Sequence, residues 1–381
     1  ISELQGYENS PNYRLNRAVM RAAFPNSPYG LPVGGTKADV EKFTAEQVRE
    51  YYRKYYSPDN ATLVVVGDFE TEPTLQAIKE IFGKVPDREK TGERQEKSIE
   101  NRTTLSSSAP TSAANPQASP IVLKEPGAAA TLQVVYPLPN VNNPDVPALD
   151  VMNNILTEGR NSRIYQALVE SGLASAADGD TANLAAGGWY QFSATAGPGQ
   201  DLTKIERVLQ QTVANLQEKG ATAAELDRAK AQVKSTIIGN NRNISSQAMQ
   251  LGNDQTTAGD YRYTDRYLAA LDKLTVADVK RVATTYLAAN KRTVGMFEPT
   301  QIAGKSTPGA AGTGQTAESF NAGPPVDPAQ VAKYLPPIDA STIPSLTKLP
   351  EQFRLSNGLE VLLLPDPSTP TVTLSGNIKA G

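Results

Sequence analysis

The chain has 381 residues, which is enough for about two domains. Hydrophobic residues make up 39% and charged residues 20%, as in ordinary globular proteins, and no apolar run approaches the ~20 residues that a membrane-spanning helix needs. The net charge of −3 gives no basic surface of the kind that nucleic-acid binding favours.

Two residue types are absent from the sequence, and this limits its chemistry. The chain contains no cysteine, which excludes disulfides, zinc ribbons and thiol catalysis. It contains no histidine, which excludes Ser-His-Asp and Cys-His arrangements and any histidine-based zinc site built from this chain alone. Carboxylates, hydroxyls, lysines and tyrosines remain as the reactive groups.

The first predicted block covers residues 1–95 and consists of two helices, a strand and a helix. Thr44 and Gln47 form a capping-box pattern at the start of the second helix. The continuous β-branched run at 61–67 predicts a strand buried on both faces. The apolar periodicity at 68–82 predicts the closing helix.

The second predicted block covers residues 121–300, after a polar stretch at 96–120 that predicts a linker or a surface excursion. Thr222 and Glu225 repeat the capping-box pattern within this block. The predicted strands are Ile121 to Lys124, Thr131 to Tyr136, Trp189 to Ala196 and Arg292 to Phe297, and the main predicted helices are Asp150 to Val169, Leu202 to Lys219 and Thr275 to Ala288.

A second linker, rich in Gly, Ala, Thr and Pro, is predicted at residues 301–342. The strand pattern restarts at Phe353, with runs at 359–364 and 371–378 around a Pro-Asp-Pro turn. We expect residues 343–381 to form the opening hairpin of a third domain. The chain begins without a targeting segment, and we expect both ends to be cuts within a longer polypeptide.

Two segments of the chain align without gaps. They are FTAEQVREYYRKYYSPDNATLVVVGD from Phe43 and LTVADVKRVATTYLAANKRTVGMFEP from Leu274, so the offset is 231 residues (274 − 43). Each segment predicts a capped helix, a short break and a strand. The repeat favours duplicated two-layer α+β domains over a solenoid, whose period would be far shorter.

Short motifs in both blocks, in their order along the chain, resemble the pitrilysin/insulinase family of zinc metallopeptidases. The matching segments are Ile1-Ser2-Glu3-Leu4 with Tyr7-Glu8-Asn9-Ser10-Pro11, Ser27-Pro28-Tyr29-Gly30, Tyr55 to Thr62 with the following Val-Val-Gly-Asp-Phe, Gly159 to Gln166, Thr222 to Lys230, and Phe353 with Leu355 to Leu359. Ser27 stands where the family has histidine.

The resemblance implies an α+β fold class: tandem homologous two-layer domains, each an antiparallel or mixed sheet packed with helices, as in processing peptidases. Two halves built from such domains would enclose a peptide-sized chamber. The family's zinc is bound by the two histidines of an inverted H-x-x-E-H helix, whose glutamate is the general base, and by a glutamate from a later helix.

Carried onto this chain, the resemblance assigns one metal ligand, Glu3, as the later glutamate, with Glu8 as a second candidate. The alternative for Glu3 is a solvated helix glutamate without function. The H-x-x-E-H helix would lie upstream of Ile1, so no catalytic residue is assigned, and we expect the isolated chain to be inactive and to bind no zinc. The family's substrate-binding Arg and Tyr correspond to Leu168 and Ser175, so the substrate-binding residues are unknown.

Two other clusters have ordinary interpretations. Asp178 and Asp180 lack the ligand spacing of an EF-hand loop, so a solvated turn explains them better than a calcium site. The tyrosines at 51, 52, 55 and 56 have the spacing of a helix packed on a neighbouring sheet, and their mixed-charge surroundings do not favour base stacking.

The sequence therefore predicts a fragment of a zinc metalloendopeptidase that hydrolyses peptides or unfolded polypeptides in an enclosed chamber. The alternative is a non-catalytic structural or peptide-binding subunit of the same family. Expected partners are such a substrate and the remainder of the polypeptide or a family partner subunit, without nucleic acid or a membrane span. The compartment stays open, with a periplasmic or otherwise exported location slightly favoured over the cytoplasm.

Overall fold

The computed structural model describes residues 2–56, 58–85, 119–241 and 243–300, and the backbone of 351–354 and 360–363. These residues fall into two units, Ile1–Lys305 and Ser306–Gly381. The predicted linkers lie almost wholly outside the described residues. None of the helices in the described stretches is long and apolar enough to cross a membrane.

The N-terminal part of the first unit is helical. Ser10 caps its longest helix by accepting a hydrogen bond from the Tyr13 amide at 3.4 Å, and a proline occupies the first turn, where no amide donor is needed. The helices are α1 (Ser2–Glu8), α2 (Pro11–Ala23), α3 (Lys37–Val40), α4 (Ala45–Tyr55) and α5 (Thr71–Phe82), with 3₁₀ helices at Pro28–Gly30 and Pro58–Asn60.

A five-stranded mixed sheet forms the centre of the unit. Its strands are β1 (Ile121–Pro126), β2 (Thr131–Leu138), β3 (Ala174–Leu184), β4 (Gly187–Ala196) and β5 (Thr293–Thr300). They lie in the order β1-β5-β2-β4-β3, with β1 and β5 parallel and the other neighbours antiparallel. The central strand β2 is buried along nearly its whole length, whereas β3 is an edge strand of this sheet.

One set of helices packs around a central buried helix. The set consists of α6 (Val146–Thr157), α7 (Leu202–Lys219), α8 (Ala223–Asn240), α9 (Ile244–Asn253), α10 (Tyr263–Lys273) and α11 (Val276–Tyr286), with π-helices at Tyr165–Glu170 and Asp254–Ala258 and a 3₁₀ helix at Ala289–Lys291. Helix α6 is buried at ten of its twelve residues and contacts α8, α10, α11 and β3. The main apolar core lies between these helices and the sheet.

Helix α2 covers a second apolar core on the sheet. Its Leu15 and Val19 pack with Val135 of β2 and Phe297 of β5 in a cluster separate from the main core. Gly295 of β5 permits this approach, because a Cβ there would collide with Val19 Cγ2 and lie 3.0 Å from Leu15 Cδ1. The predicted α+β fold with a mixed sheet is confirmed, and α2 adds a layer that the sequence did not predict.

The strand predicted at 61–67 is wrong, because these residues form no strand among the described parts of the chain. Leu63 is 56% exposed, and no described strand pairs with this segment. A β-branched run has strand propensity, but a strand exists only where another strand supplies the hydrogen bonds of a ladder.

The solvated turn predicted for Asp178 and Asp180 is also wrong, since both residues lie in β3. The prediction missed β3 because its Ala, Asp and Gly residues carry little strand propensity, and pairing with β4 imposes the conformation.

The second unit contains an antiparallel hairpin of β6 (Glu351–Arg354) and β7 (Glu360–Leu363). A restart of strands near Phe353 was predicted, but the expected partner of the 359–364 strand was the run at 371–378. That run lies outside the described residues, and the observed partner of β7 is β6.

The helical half of the internal repeat recurs residue for residue. The bounds of α4, shifted by 231, coincide with those of α11, and Pro58–Asn60 coincides with Ala289–Lys291. Both helices begin with a capping box, from Thr44 and from Thr275. Among the described residues, the second copy continues into a paired strand, β5, and the first does not.

Candidate functional site

The predicted metal ligand, Glu3, lies on the exposed helix α1, where its carboxylate accepts a hydrogen bond from the Tyr7 hydroxyl at 2.8 Å. Glu8, the second candidate, ends the same helix and forms an ion pair with Arg17 of α2. The ligand assignment for Glu3 stays a prediction.

The residues present do not make up the zinc site that the resemblance implies. In the parts of the chain that the structure describes, no three acidic side chains lie together as a metal site would need. A catalytic zinc takes three protein ligands, and this sequence offers no histidine to join Glu3.

The motif at Gly159 to Gln166 is structural. Arg163 donates from Nε and Nη2 to the two carboxylate oxygens of Glu225, at 2.7 and 2.8 Å, and also from Nη2 to the Gly220 carbonyl at 2.9 Å. The hydrogen bonds from Arg163 hold the pKa of Glu225 at about 2. Glu225 also closes the predicted capping box with Thr222, which is confirmed. Two motifs that resemble the peptidase family therefore meet in one bidentate ion pair that joins helices.

Ser27 and the residues in place of the family's Arg and Tyr have structural surroundings too. Ser27 Oγ accepts from the Tyr29 amide at 3.3 Å and caps the 3₁₀ helix there. Leu168 is buried in the core, and Ser175 is exposed on β3 with its hydroxyl 3.4 Å from the Thr195 carbonyl. No described contact brings Ser27, Leu168 or Ser175 together with Glu3.

A polar cleft of about 680 Å³ lies where the end of β3 meets helices α6, α8, α9 and α10. Its volume is within the range of ~300–1,000 Å³ that is usual for ligand pockets. The lining residues that the structure describes include three carboxylates and six carboxamides but no lysine or arginine, and apolar side chains of α8 contribute to the lining.

Asp150 lies on the floor of this cleft. Its carboxylate accepts hydrogen bonds from the hydroxyls of Thr181 and Tyr267, both at 2.8 Å, and from the Asn183 amide at 3.2 Å. Burial raises the pKa of the Asp150 carboxyl, although the three hydrogen bonds act in the opposite direction. The side-chain oxygen of Asn183 is buried and has no hydrogen-bond partner.

A second buried carboxylate in the lining, Asp254, begins the π-helix Asp254–Ala258. It accepts from the Gln250 amide at 2.9 Å and from the backbone amide and hydroxyl of Thr264, at 3.0 and 2.7 Å. The sequence did not predict this site, because its residues come from six separate elements. The only local signal is the frequency of Asn, Gln and Asp at 153–154 and 250–254.

A family model and curated relatives both point to one family of proteins. A family model described as the peptidase M16 inactive domain matches residues 42–233. The chain is 23% identical over 284 residues to the uncharacterized zinc protease YmxG of Bacillus subtilis (strain 168), covering 74% of this chain and 64% of the relative. It is 24% identical over 293 residues to the zinc protease PqqE of Helicobacter pylori, covering 77% of this chain and 63% of the relative. The chain thus spans less than two thirds of these relatives.

Solved structures share the fold. The crystal structure of a protease from Helicobacter pylori aligns with a TM-score of 0.68 at 24% identity, covering 77% of this chain and 68% of that chain. A peptidase M16 inactive domain from Pseudomonas fluorescens aligns with a TM-score of 0.66 at 18% identity, covering 79% and 68%. The predicted family is confirmed: with about half of its residues matched by the inactive-domain model, this chain belongs to the peptidase M16 family.

Proposed function

We propose that this chain is part of a zinc-dependent endopeptidase that hydrolyses peptides or unfolded polypeptides inside an enclosed chamber. In this proposal the chain forms chamber wall and contributes one zinc ligand, Glu3, while the histidine ligands come from elsewhere in the protein. The observation that carries the proposal is the likeness of this chain to relatives named zinc proteases. The match of an inactive-domain model to a chain without histidine agrees with a supporting role for this part of the protein. The relatives named zinc proteases extend beyond the part that this chain covers.

The domain boundaries form part of the same proposal. Residues 1–95 would be the C-terminal part of one family domain, 121–300 a second domain, and 343–381 the start of a third, joined by linkers at 96–120 and 301–342. The internal repeat supports this division.

The two repeated helices differ in what covers them. The face of α11 that carries Val279 and Tyr286 is buried, whereas the equivalent Val48 and Tyr55 of α4 are exposed, Val48 by 57%. In α11 this face packs against α6, α7 and β2. We infer that an equivalent sheet and helices of the first domain cover α4 in the complete protein.

The test is Glu3→Gln in the complete polypeptide, with Glu8→Gln on the same helix as the matched control. We expect E3Q to lose bound zinc, measured by atomic absorption, and to lose cleavage of a quenched fluorescent peptide. E8Q should keep both, because Glu8 pairs with Arg17. The chain of 381 residues alone should show no cleavage.

A non-catalytic subunit is the second candidate function, favoured by the description of the matched domain as inactive. Absence of zinc and of chelator-sensitive cleavage in the complete polypeptide would establish this candidate and overturn the endopeptidase. Zinc and cleavage unchanged in E3Q would overturn only the role of Glu3.

A further inference from the structure

We propose that the cleft between β3 and helices α6, α8, α9 and α10 binds an organic cation, namely a guanidinium or alkylammonium group carried on an aliphatic stem. This inference does not depend on the proposed peptidase activity, because it concerns residues far along the chain from Glu3 and can be measured by binding alone.

The charge of the lining is the first argument. Asp150, Asp254 and Glu158 all line the cleft, and none of the described lining residues is a lysine or arginine. Arg266, whose charge acts on the lining residue Tyr263, is already paired with Asp260. Charges of one sign in a concave, partly desolvated site attract ligands of the opposite sign. The cleft therefore repels phosphates and carboxylates and favours cations.

Unused polar atoms supply the second argument, and they are independent of the charges. Asn183 donates one amide hydrogen bond to Asp150, and its buried side-chain oxygen has no donor. Asn154 is only 7% exposed and lines the cleft, and no hydrogen bond joins its side chain to another described residue. Buried polar atoms are nearly always hydrogen-bonded, so a ligand that brings N–H donors would complete this site.

A bare metal ion fits the cleft less well than an organic cation. Asp150 and Asp254 each accept three hydrogen bonds from protein donors, which leaves each carboxylate about one acceptor site for a ligand N–H group but too few free oxygens to coordinate a metal ion. No three acidic residues of the described chain form a metal-binding group. A guanidinium carries five N–H donors and no acceptor, which matches a lining rich in carboxylate and carboxamide oxygens. The apolar Val233 and Ile237 of α8 lie in the wall where an aliphatic stem would pack.

The cation could come from a basic side chain of a polypeptide or from a free small molecule. Isothermal titration calorimetry of the 381-residue chain distinguishes these sources with three probes. N-acetyl-L-argininamide presents the side chain between two peptide groups, methylguanidinium presents the charge alone, and N-acetyl-L-citrullinamide is the neutral isostere of the first probe.

We expect saturable binding of N-acetyl-L-argininamide and at least ~10-fold weaker binding of the citrulline compound, because a hydrogen bond to a charged group is worth about 1.5–3 kcal/mol. Methylguanidinium binding as tightly as the arginine compound would identify a free small cation, and much weaker binding would identify a basic side chain. Either result supports the proposal. Absence of saturable binding by both cations, or equal binding of the neutral isostere, overturns it.

Variants locate the binding in the cleft. Glu158→Gln at the exposed rim should weaken binding several-fold, and Asp150→Asn on the floor by at least ~10-fold, with each variant first checked for an unchanged unfolding midpoint. Asp178→Asn is the matched control, because Asp178 lies on the same strand but outside the cleft. If D178N weakens binding as much as E158Q does, the attraction is a general surface effect and the proposal is wrong.

Discussion

Replacement of Glu225 by Gln is expected to remove most of the stability that the Arg163–Glu225 ion pair gives to the fold. Glutamine can still accept a hydrogen bond from the Thr222 amide, so the capping box is kept, but the charge and one of the two acceptors for Arg163 are lost. Arg163 would then remain in a largely buried position without its counter-charge.

The magnitude follows from the pKa of Glu225, which hydrogen bonds from Arg163, and in smaller part from Thr222, lower from 4.5 to about 2. Since one pH unit corresponds to about 1.4 kcal/mol, the upper limit for the interaction is about 3.4 kcal/mol. The side chains of Arg163 and Glu225 are 19% and 16% exposed, so water screens part of this interaction. We expect the free energy of unfolding at neutral pH to fall by about 1.5–2.5 kcal/mol in E225Q.

The pH dependence gives an independent check. Because the pKa of Glu225 is lower in the folded state than in the unfolded state, its contribution is fully present above about pH 4.5 and is lost as the pH falls toward 2. The difference in stability between wild type and E225Q should therefore shrink to about 60% of its neutral-pH value at about pH 3.5 and to about half at about pH 3.2. Urea unfolding followed by circular dichroism measures both quantities.

Asp227→Asn is the matched control for this experiment, because Asp227 is an exposed acid of the same helix for which no ion pair is found among the described residues. Its loss should stay within about 0.5 kcal/mol. The reasoning is refuted if E225Q loses no more stability than D227N, or if the E225Q difference stays constant down to about pH 3.5.

Two further predictions concern packing and can be measured by the same unfolding assay. Val279→Ala in the buried face of α11 should cost about 1–3 kcal/mol, whereas the equivalent Val48→Ala should stay within about 0.5 kcal/mol, and equal losses would show that α4 is covered in this chain. Gly295→Ala should cost about 1–3 kcal/mol because its methyl group would meet Val19, while Gly239→Ala, which meets nothing within 4 Å, should be neutral or slightly stabilising. Equal effects of the two glycine substitutions would contradict the close approach of α2.

The elements that the sequence predicted correctly are those whose signal is local. The capping box at Thr222 and the apolar stripe of α7 are each set by residues within a few positions of one another, and the structure confirms both. Strands depend on their neighbours. The run at 61–67 is rich in residues with high strand propensity but has no described partner strand. In contrast, β3 is poor in such residues but pairs with β4.

The candidate site was harder to predict than the fold for a related reason. Asp150, Asn183 and Asp254 are separated by tens of residues, and their polar side chains carry no spacing that distinguishes a cleft lining from a solvated surface. Glu3 is the reverse case: a sequence motif identifies it as a candidate ligand, but the residues that would complete a zinc site around it are not among those described.

Because α2 packs against the sheet, the two predicted blocks are held together by noncovalent contacts as well as by the chain. A protease that nicks the chain between residues 86 and 118 would cut the covalent link, yet Leu15 and Val19 would remain packed against Phe297. The nicked protein should therefore elute as a single species until a denaturant separates the pieces. The same contact means that residues 119–300 expressed alone would expose an apolar strip on the sheet, where self-association would begin.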